Sequence, residues 1–441
     1  MRHRGQLVFS LIVLFVLCLN FASARAATIN AASCSESDVQ SAINSASSGD
    51  TVNMPAGSCS WTSTLTLSKP ITLAGAGVGN TMIAHHAADS SSNAVPLIQF
   101  TVNATVSTRI TGISFRNGGY CHQFIWVTGS TAAGSFYAQA PFRIDDNDFL
   151  NGSGESGCSE GGPGQTYIEV YAARGLIDHN TLEGNQNGEL IHHFGYQGDS
   201  GSGIGWQSSL VPGSSNMLYI ETNTFTNNGT AWVALSDIEA YETARTVARY
   251  NTFADGAVDE HGCCSDGVRW WEFYNNTFTT TSQSWNQAFF FEIRAGTGVV
   301  FNNKHTGSSS GASGTGIYLY CDTSYSIGEG IGRVHWSPAY IWGNTDPGGS
   351  GGAMVVTTGT GDSSGRPCTN GGPVLNTNYF VSATQPLVML REEEVGDLSS
   401  TTFSYVPFTY PYPLDANGMP NPTAAGITAP NPPTGLSATV S

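Results

Sequence analysis

Lysine is almost absent from this chain. Only Lys69 and Lys304 occur in 441 residues, and charged residues of all kinds make up 11%. With 16 basic against 33 acidic residues and a formal charge of −17, there is no basic stripe for a phosphate backbone to meet. Nucleic acid is therefore excluded as the expected partner. No helical hydrophobic period runs through the middle of the chain, which argues against long surface helices. No Cys-x-x-Cys pair occurs, so zinc is the weaker use of the cysteines. A Walker loop and a His-Glu-x-x-His helix are missing, and Gly-x-Ser-x-Gly occurs only in Gly/Ser-rich stretches at 307–311, 348–352 and 361–365, with no strand-to-helix pattern around it to make an elbow. Serine hydrolase, nucleotide and zincin readings fall away with them.

What is abundant is glycine, 53 residues, with Ser, Thr and Asn filling the polar positions. That mixture suits short strands joined by many turns. Arg2, Arg4, an apolar run from Leu7 to Leu19 and Ala24-Arg25-Ala26 spell a secretory signal peptide over residues 1–26. Its removal takes away Arg2, Arg4, Arg25 and Cys18, leaving 13 basic residues, 33 acidic ones and an even set of cysteines: Cys34, Cys59, Cys121, Cys158, Cys263, Cys264, Cys321 and Cys368. An exported chain uses such a set as disulfides, with Cys34–Cys59 and Cys321–Cys368 the preferred pairs at the two ends. After cleavage no membrane span is expected, and the molecule is read as a secreted or cell-surface monomer.

One pattern organises the middle. An asparagine returns three residues after an apolar one: Ile144 before Asn147, Ile177 before Asn180, Ile220 before Asn223, Ala248 before Asn251, Phe273 before Asn276, Val300 before Asn303 and Ile341 before Asn344. The asparagines stand 33, 43, 28, 25, 27 and 41 residues apart, a fixed frame with variable filling, which is the mark of a solenoid. Three short strands and their turns need roughly 22 to 30 residues, which matches the shortest spacings. A buried Asn in each turn can bond to the Asn of the next coil and form a ladder.

Ser35 is placed to cap a helix over residues 36–46 with Val39, Ala42, Ile43 and Ala46 on one face. Strand patterns follow at Thr51-Val52, Leu65-x-Leu67 and Ile71-x-Leu73. The run SDVQSAINSASSGDTVNMPAGSCSWTSTLTLSKPITLAGAG resembles the opening segment of pectin-lyase-like right-handed parallel β-helices. With the asparagines, the resemblance covers roughly residues 30–390. The fold class it implies is all-β, a right-handed parallel β-helix over residues 27–400 with a short N-terminal capping helix. Longer segments at 150–170, 183–215 and 304–338 are expected as flanking loops. Residues 401–429 are Pro-rich and read as an extended tail and linker, and residues 430–441 resemble the start of a fibronectin type III module.

The asparagine also sets a phase. Two residues before it stand Asp145, Asp178, Glu221, Arg249, Tyr274 and Phe301, which strand alternation sends outward. Three carboxylates roughly 5 Å apart need a compensating charge. Resemblance to pectate-lyase-like enzymes implies Ca²⁺ held by Asp145, Asp178 and Glu221, with Arg249 as the base of a β-elimination; the plainer reading is a polar column with Arg249 as its counter-ion. The chain departs from named families: Gly-His-Gly, Arg-Ile-Lys and the Trp-Ile-Asp-His signature are all absent.

A second constellation holds Asp237, Glu239, Arg245, Arg249, Asp259, Glu260, His261, Arg269, Glu272, Glu292 and Arg294. It could furnish an acid/base pair, with His261 as a shuttle and Arg245, Arg269 and Arg294 as cations for a sugar acid. Ion pairs that tie the coils together are its other reading. The 183–215 segment adds Glu189, His192, His193 and Trp206, the last a candidate sugar platform. With these residues, the resemblance to pectin-lyase-like β-helices implies a secreted polysaccharide-degrading enzyme, a lyase before a glycoside hydrolase, on a uronate-containing glycan. Glu221, Arg249 and His261 are its catalytic candidates. A non-catalytic glycan-binding protein is the alternative from another class.

Overall fold

The computed structural model describes residues 26–86, 95–117, 123–129, 139–150, 166–184, 189–195, 211–227, 237–261, 268–280, 289–294, 296–307, 316–322, 325–326, 338–347, 352–360, 372–391, 401–421 and 423. They form a right-handed parallel β-helix. Each complete coil contributes one strand to each of three parallel sheets, of twelve, nine and ten strands among the described residues. One coil shows the plan: Leu218–Glu221 lies in the first sheet, Thr224–Asn227 in the second and Ile238–Tyr241 in the third. Arg245–Arg249 then returns to the first sheet. No helix among the described residues is long and apolar enough to cross a membrane.

The expected helix is present as Glu36–Ser45. The Ser35 side chain accepts from the Asp38 amide, and Val39, Ala42 and Ile43 are buried over the open end of the stack. Cys34 and Cys59 are joined there. Cys321 is disulfide-bonded as well, to a partner outside the described residues. Cys121, Cys158, Cys263, Cys264 and Cys368 also lie outside them, as do the signal segment and residues 424–441.

Inside the stack the asparagines form a continuous ladder. Asn147 Nδ2 donates to Asn180 Oδ1 at 3.1 Å, and the pattern repeats through Asn223, Asn251, Asn276 and Asn303 to Asn344 at 2.8 to 3.1 Å. Each Nδ2 from Asn180 onward also reaches a carbonyl of the preceding coil, so every ladder amide has its partners. The residue before each of the first six asparagines is left-handed: Asp146, His179, Thr222, Tyr250, Asn275 and Asn302 have φ between 52° and 60°. One such residue turns the chain from the first sheet into the second, which costs most where the residue is β-branched, as at Thr222. The Phe two positions after the Asn points inward and stacks coil on coil, with Phe225, Phe253 and Phe278 4.7 Å apart.

Two expectations need correction. The segments 183–215 and 304–338 are not simple insertions, because Ile191–Phe194 and Ile317–Leu319 within them are regular third-sheet strands. The spacing varies because turns lengthen between strands that every coil must still supply. Residues 401–421, expected as a linker, instead lie along the outer face of the first sheet. There Met389, Tyr405, Phe408 and Tyr412 close a second apolar core with Tyr219, Val247, Trp270, Tyr274, Phe301 and Trp342.

Candidate functional site

The phased column forms in register. Asp145 lies opposite Asp178, Asp178 opposite Glu221, and Glu221 opposite Arg249. Its surroundings do not suit a cation. Arg109 grips both oxygens of Asp145, with Nε to Oδ1 at 2.7 Å. Arg143 takes both oxygens of Asp178 at 2.9 and 2.6 Å, with His179 alongside. Arg249 Nε bonds Glu221 at 2.6 Å, and the Tyr412 amide donates to the other Glu221 oxygen at 2.8 Å. Exposure is 0% for Asp145, 2% for Asp178 and 1% for Glu221. The lone pairs a hard cation would need are spent on guanidinium and amide donors. Among the described residues no three His, Cys, Asp or Glu groups gather to hold a metal ion. The donor set therefore does not fit Ca²⁺.

Arg249 does not suit the role of base either. It is 0% exposed, and its Nη atoms donate to Tyr274 Oη, Phe408 O and Thr409 O. Burial works against its charge, but Tyr274 and Glu221 outweigh it and hold the proton more firmly than in a free arginine. Asp145 is pushed up to about 6 by burial despite Arg109 and Arg143. In Asp178 the bonds from Arg143 and His179 overcome burial and leave it below the ordinary carboxylate value. Arg245 and Arg269 are each 2% exposed and offer no surface to a sugar. Trp206 lies outside the described residues.

The third sheet is different. Its strands read Ile168-Glu169-Val170-Tyr171, Ile191-His192-His193-Phe194, Ile238-Glu239-Ala240-Tyr241, Val258-Asp259-Glu260 followed by His261, and Phe291-Glu292-Ile293 followed by Arg294. The first and third residue of each face the core, and the second and fourth face out. Two outward columns result. One carries Trp126, Glu169, His192, Glu239, Asp259, Glu292 and Tyr318. The other carries Tyr171, Phe194, Tyr241 and His261, whose rings stack along the axis at 4.4 to 5.0 Å. Because these rings face one another, they turn their edges outward. His192 and His193 part as expected, with His193 buried against Thr246 Oγ1 at 2.7 Å.

Here acids outnumber cations. Arg294 bonds Asp259 through both ends of its fork and stands 3.6 Å from Glu239 and 3.9 Å from Glu292. Glu239 meets Glu189 carboxyl to carboxyl. Glu239 Oε2 is buried with no hydrogen-bond partner among the described residues, a setting that favours holding a proton on the pair. Burial, then Glu189, raises Glu239 well above the ordinary value, whereas in Glu189 the Glu239 hydrogen bond outweighs burial and lowers it. Tyr241 hydrogen-bonds Glu239, and burial holds its phenol protonated. His192 is pushed down to about 4 by burial, so its ring is neutral at pH 7, and its buried Nε2 has no hydrogen-bond partner among the described residues. The sequence reading singled out Glu189, His192, Glu239, Asp259, His261, Glu292 and Arg294 but not Glu169, Tyr171 or Tyr241. Aligning the third-sheet strands by their Ile/Val starts is the signal that would have found them.

No known family pattern matches the chain, and no curated protein matches it. Among solved structures it is similar to an alginate lyase from Paenibacillus sp., at 14% identity over 75% of this chain and 90% of that one, with a TM-score of 0.42. It is also similar to the ORF18 protein of Geobacillus virus E2, at 16% identity over 75% of this chain and 60% of the other, with a TM-score of 0.40. A PL6-family alginate lyase aligns at 13% identity over 89% of this chain and 58% of that one, with a TM-score of 0.35. One fold hosts many activities, and likeness at this level does not carry a function across.

Proposed function

We propose that the chain is a secreted polysaccharide-degrading enzyme, a lyase that cleaves a uronate-containing glycan by β-elimination on the outer face of the third sheet. One observation supports the reading above the rest: His192, Tyr241 and Arg294 gather on third-sheet strands beside the Glu189–Glu239 carboxyl pair. In β-elimination the proton on the carbon next to the sugar carboxylate must leave, and the bond to the glycosidic oxygen breaks as the double bond forms. The roles follow from chemistry. Arg294 faces the developing charge on the uronate carboxylate, and the Glu189–Glu239 pair beside it sets the local charge. His192 takes the proton, and Tyr241 protonates the departing oxygen. The shared proton also lessens the repulsion that five nearby acids would otherwise exert on an anionic glycan.

A panel of glycans tests this, with unsaturated uronate followed by ultraviolet absorbance and cleavage by reducing ends. Ultraviolet product from the native protein, lost in Tyr241→Phe and His192→Ala, is the expected result. Reducing ends with no ultraviolet product would instead favour a glycoside hydrolase. No turnover on the whole panel would move weight to glycan binding, for which the second sheet offers a regular face bearing Thr181, Thr224, Thr252 and Thr277.

A further inference from the structure

We propose that the outer face of the first sheet is a peptide-recognition track, and that its ligand is the chain's own segment from Phe403 to Gly418, held by docking as well as by its tether. The proposal is independent of the glycan reading, which concerns the opposite columns of the third sheet.

The track reads backbone with charged side chains. Arg249 donates to the carbonyls of Phe408 at 2.6 Å and Thr409 at 2.9 Å. Glu221 accepts from the Tyr412 amide. Arg143 reaches the Gly418 carbonyl at 2.7 Å and Arg109 the Asn417 carbonyl at 3.4 Å. Each of these groups gives one part of its hydrogen-bonding capacity to an ion pair on the sheet and another part to the segment. A pair buried in this way is well satisfied only when both parts are filled.

Side chains supply the rest. Tyr405 Oη donates to buried Glu272 at 2.6 Å, and Phe408 and Tyr412 lie against Tyr219 at 5.4 and 5.1 Å between ring centres. Tyr410 stacks on Tyr250 at 3.5 Å, with its hydroxyl 3.1 Å from Thr222 Oγ1. Tyr250 and Thr222 are two of the left-handed turn residues, so the ladder's turns present them to the segment. At Gly213, with φ of +68°, an added Cβ would stand 1.9 Å from the Val406 carbonyl oxygen. Nothing larger than glycine fits beneath the segment there.

The ligand class follows. Between residues 401 and 421 the only charged side chain is Asp415. Pro407, Pro411 and Pro413 restrict the chain to extended conformations and lower the entropy lost on docking. The track takes an extended, uncharged, aromatic and Pro-rich peptide. Five strand spacings, about 24 Å, separate the Trp270 strand beside Phe403 from the Arg109 strand beside Asn417.

The test keeps the full chain and introduces a protease site between Gly396 and Asp397. After cleavage, the C-terminal fragment is expected to co-elute with the solenoid on gel filtration. An excess of a labelled synthetic peptide of residues 401–421 should exchange into its place. Phe408→Ala in the fragment and Gly213→Ala beneath it should each speed release at least tenfold, while circular dichroism confirms that the solenoid stays folded. A native fragment that elutes apart from a folded solenoid would overturn the proposal, and so would release rates that neither substitution changes. Glycan turnover on the same samples reports separately on the third sheet.

Discussion

The outer faces of the first and third sheets carry charged columns on the same coils, yet the two are built differently. On the first, Asp145, Asp178 and Glu221 each have an arginine, and residues 403–418 cover them. On the third, Glu239, Asp259 and Glu292 share Arg294, Glu239 also meets Glu189, and His192 Nε2 has no hydrogen-bond partner among the described residues. Carboxylates matched by bidentate arginines under a covering segment describe a structural joint. Carboxylates crowded beside a histidine with one arginine among three of them are the arrangement on which the proposed chemistry rests. Density of charge did not separate the two faces; the balance of partners did.

Four expected outcomes can break or sharpen that contrast. The largest is catalytic. Once a substrate is found, Tyr241→Phe should lower kcat by roughly 10² to 10⁴ with little change in thermal midpoint, whereas Arg249→Ala should leave kcat per folded molecule intact. The reverse pattern would exchange the roles of the two faces. Next is stability: Arg249→Ala strands Glu221 in a buried setting and should cost about 3–5 kcal/mol in denaturant unfolding, against under about 1 kcal/mol for Thr224→Ala on the exposed second-sheet face.

Acid should act through the histidines. Folded pKa values of about 4 for His192 and about 3 for His193 lie below the unfolded value near 6.5. Between those limits the unfolded chain binds the extra protons, so stability present at pH 7 is lost as pH falls below 6.5 toward 3. The slope is about 1.4 kcal/mol per pH unit for each group where only the unfolded form is protonated. Unfolding curves between pH 7 and 4 should be flatter in His193→Gln if its buried neutral state is the cause. The smallest effect belongs to the ladder. Asn251→Ala removes the acceptor of Asn223 and the donor to Ile220 and should cost about 1–3 kcal/mol, measured by chemical denaturation. No cost would mean that water or a neighbour replaces it.

The contrast also marks how far the residues alone could be read. The Asn phase, the Ser35 cap, the Cys34–Cys59 bridge and the outward column were legible because each depends on contacts at short or fixed spacing. Inward Ile220 predicts outward Glu221 by strand alternation alone. What covers Glu221 was not legible, since its partner Tyr412 is 191 residues away and its segment carries the composition of a linker. On the third sheet, Glu239 and Arg294 were visible as a charge cluster, but Tyr241 was not, because no invariant turn residue fixes the register of those strands.

By itself, then, the sequence determined the solenoid: repeating polar turns and inward apolar residues leave one way to stack the coils so that every buried amide is met. Tertiary structure alone decided which charged column is closed. That choice depends on distant backbone carbonyls and amides meeting Arg249 and Glu221, and every residue type carries the same backbone groups.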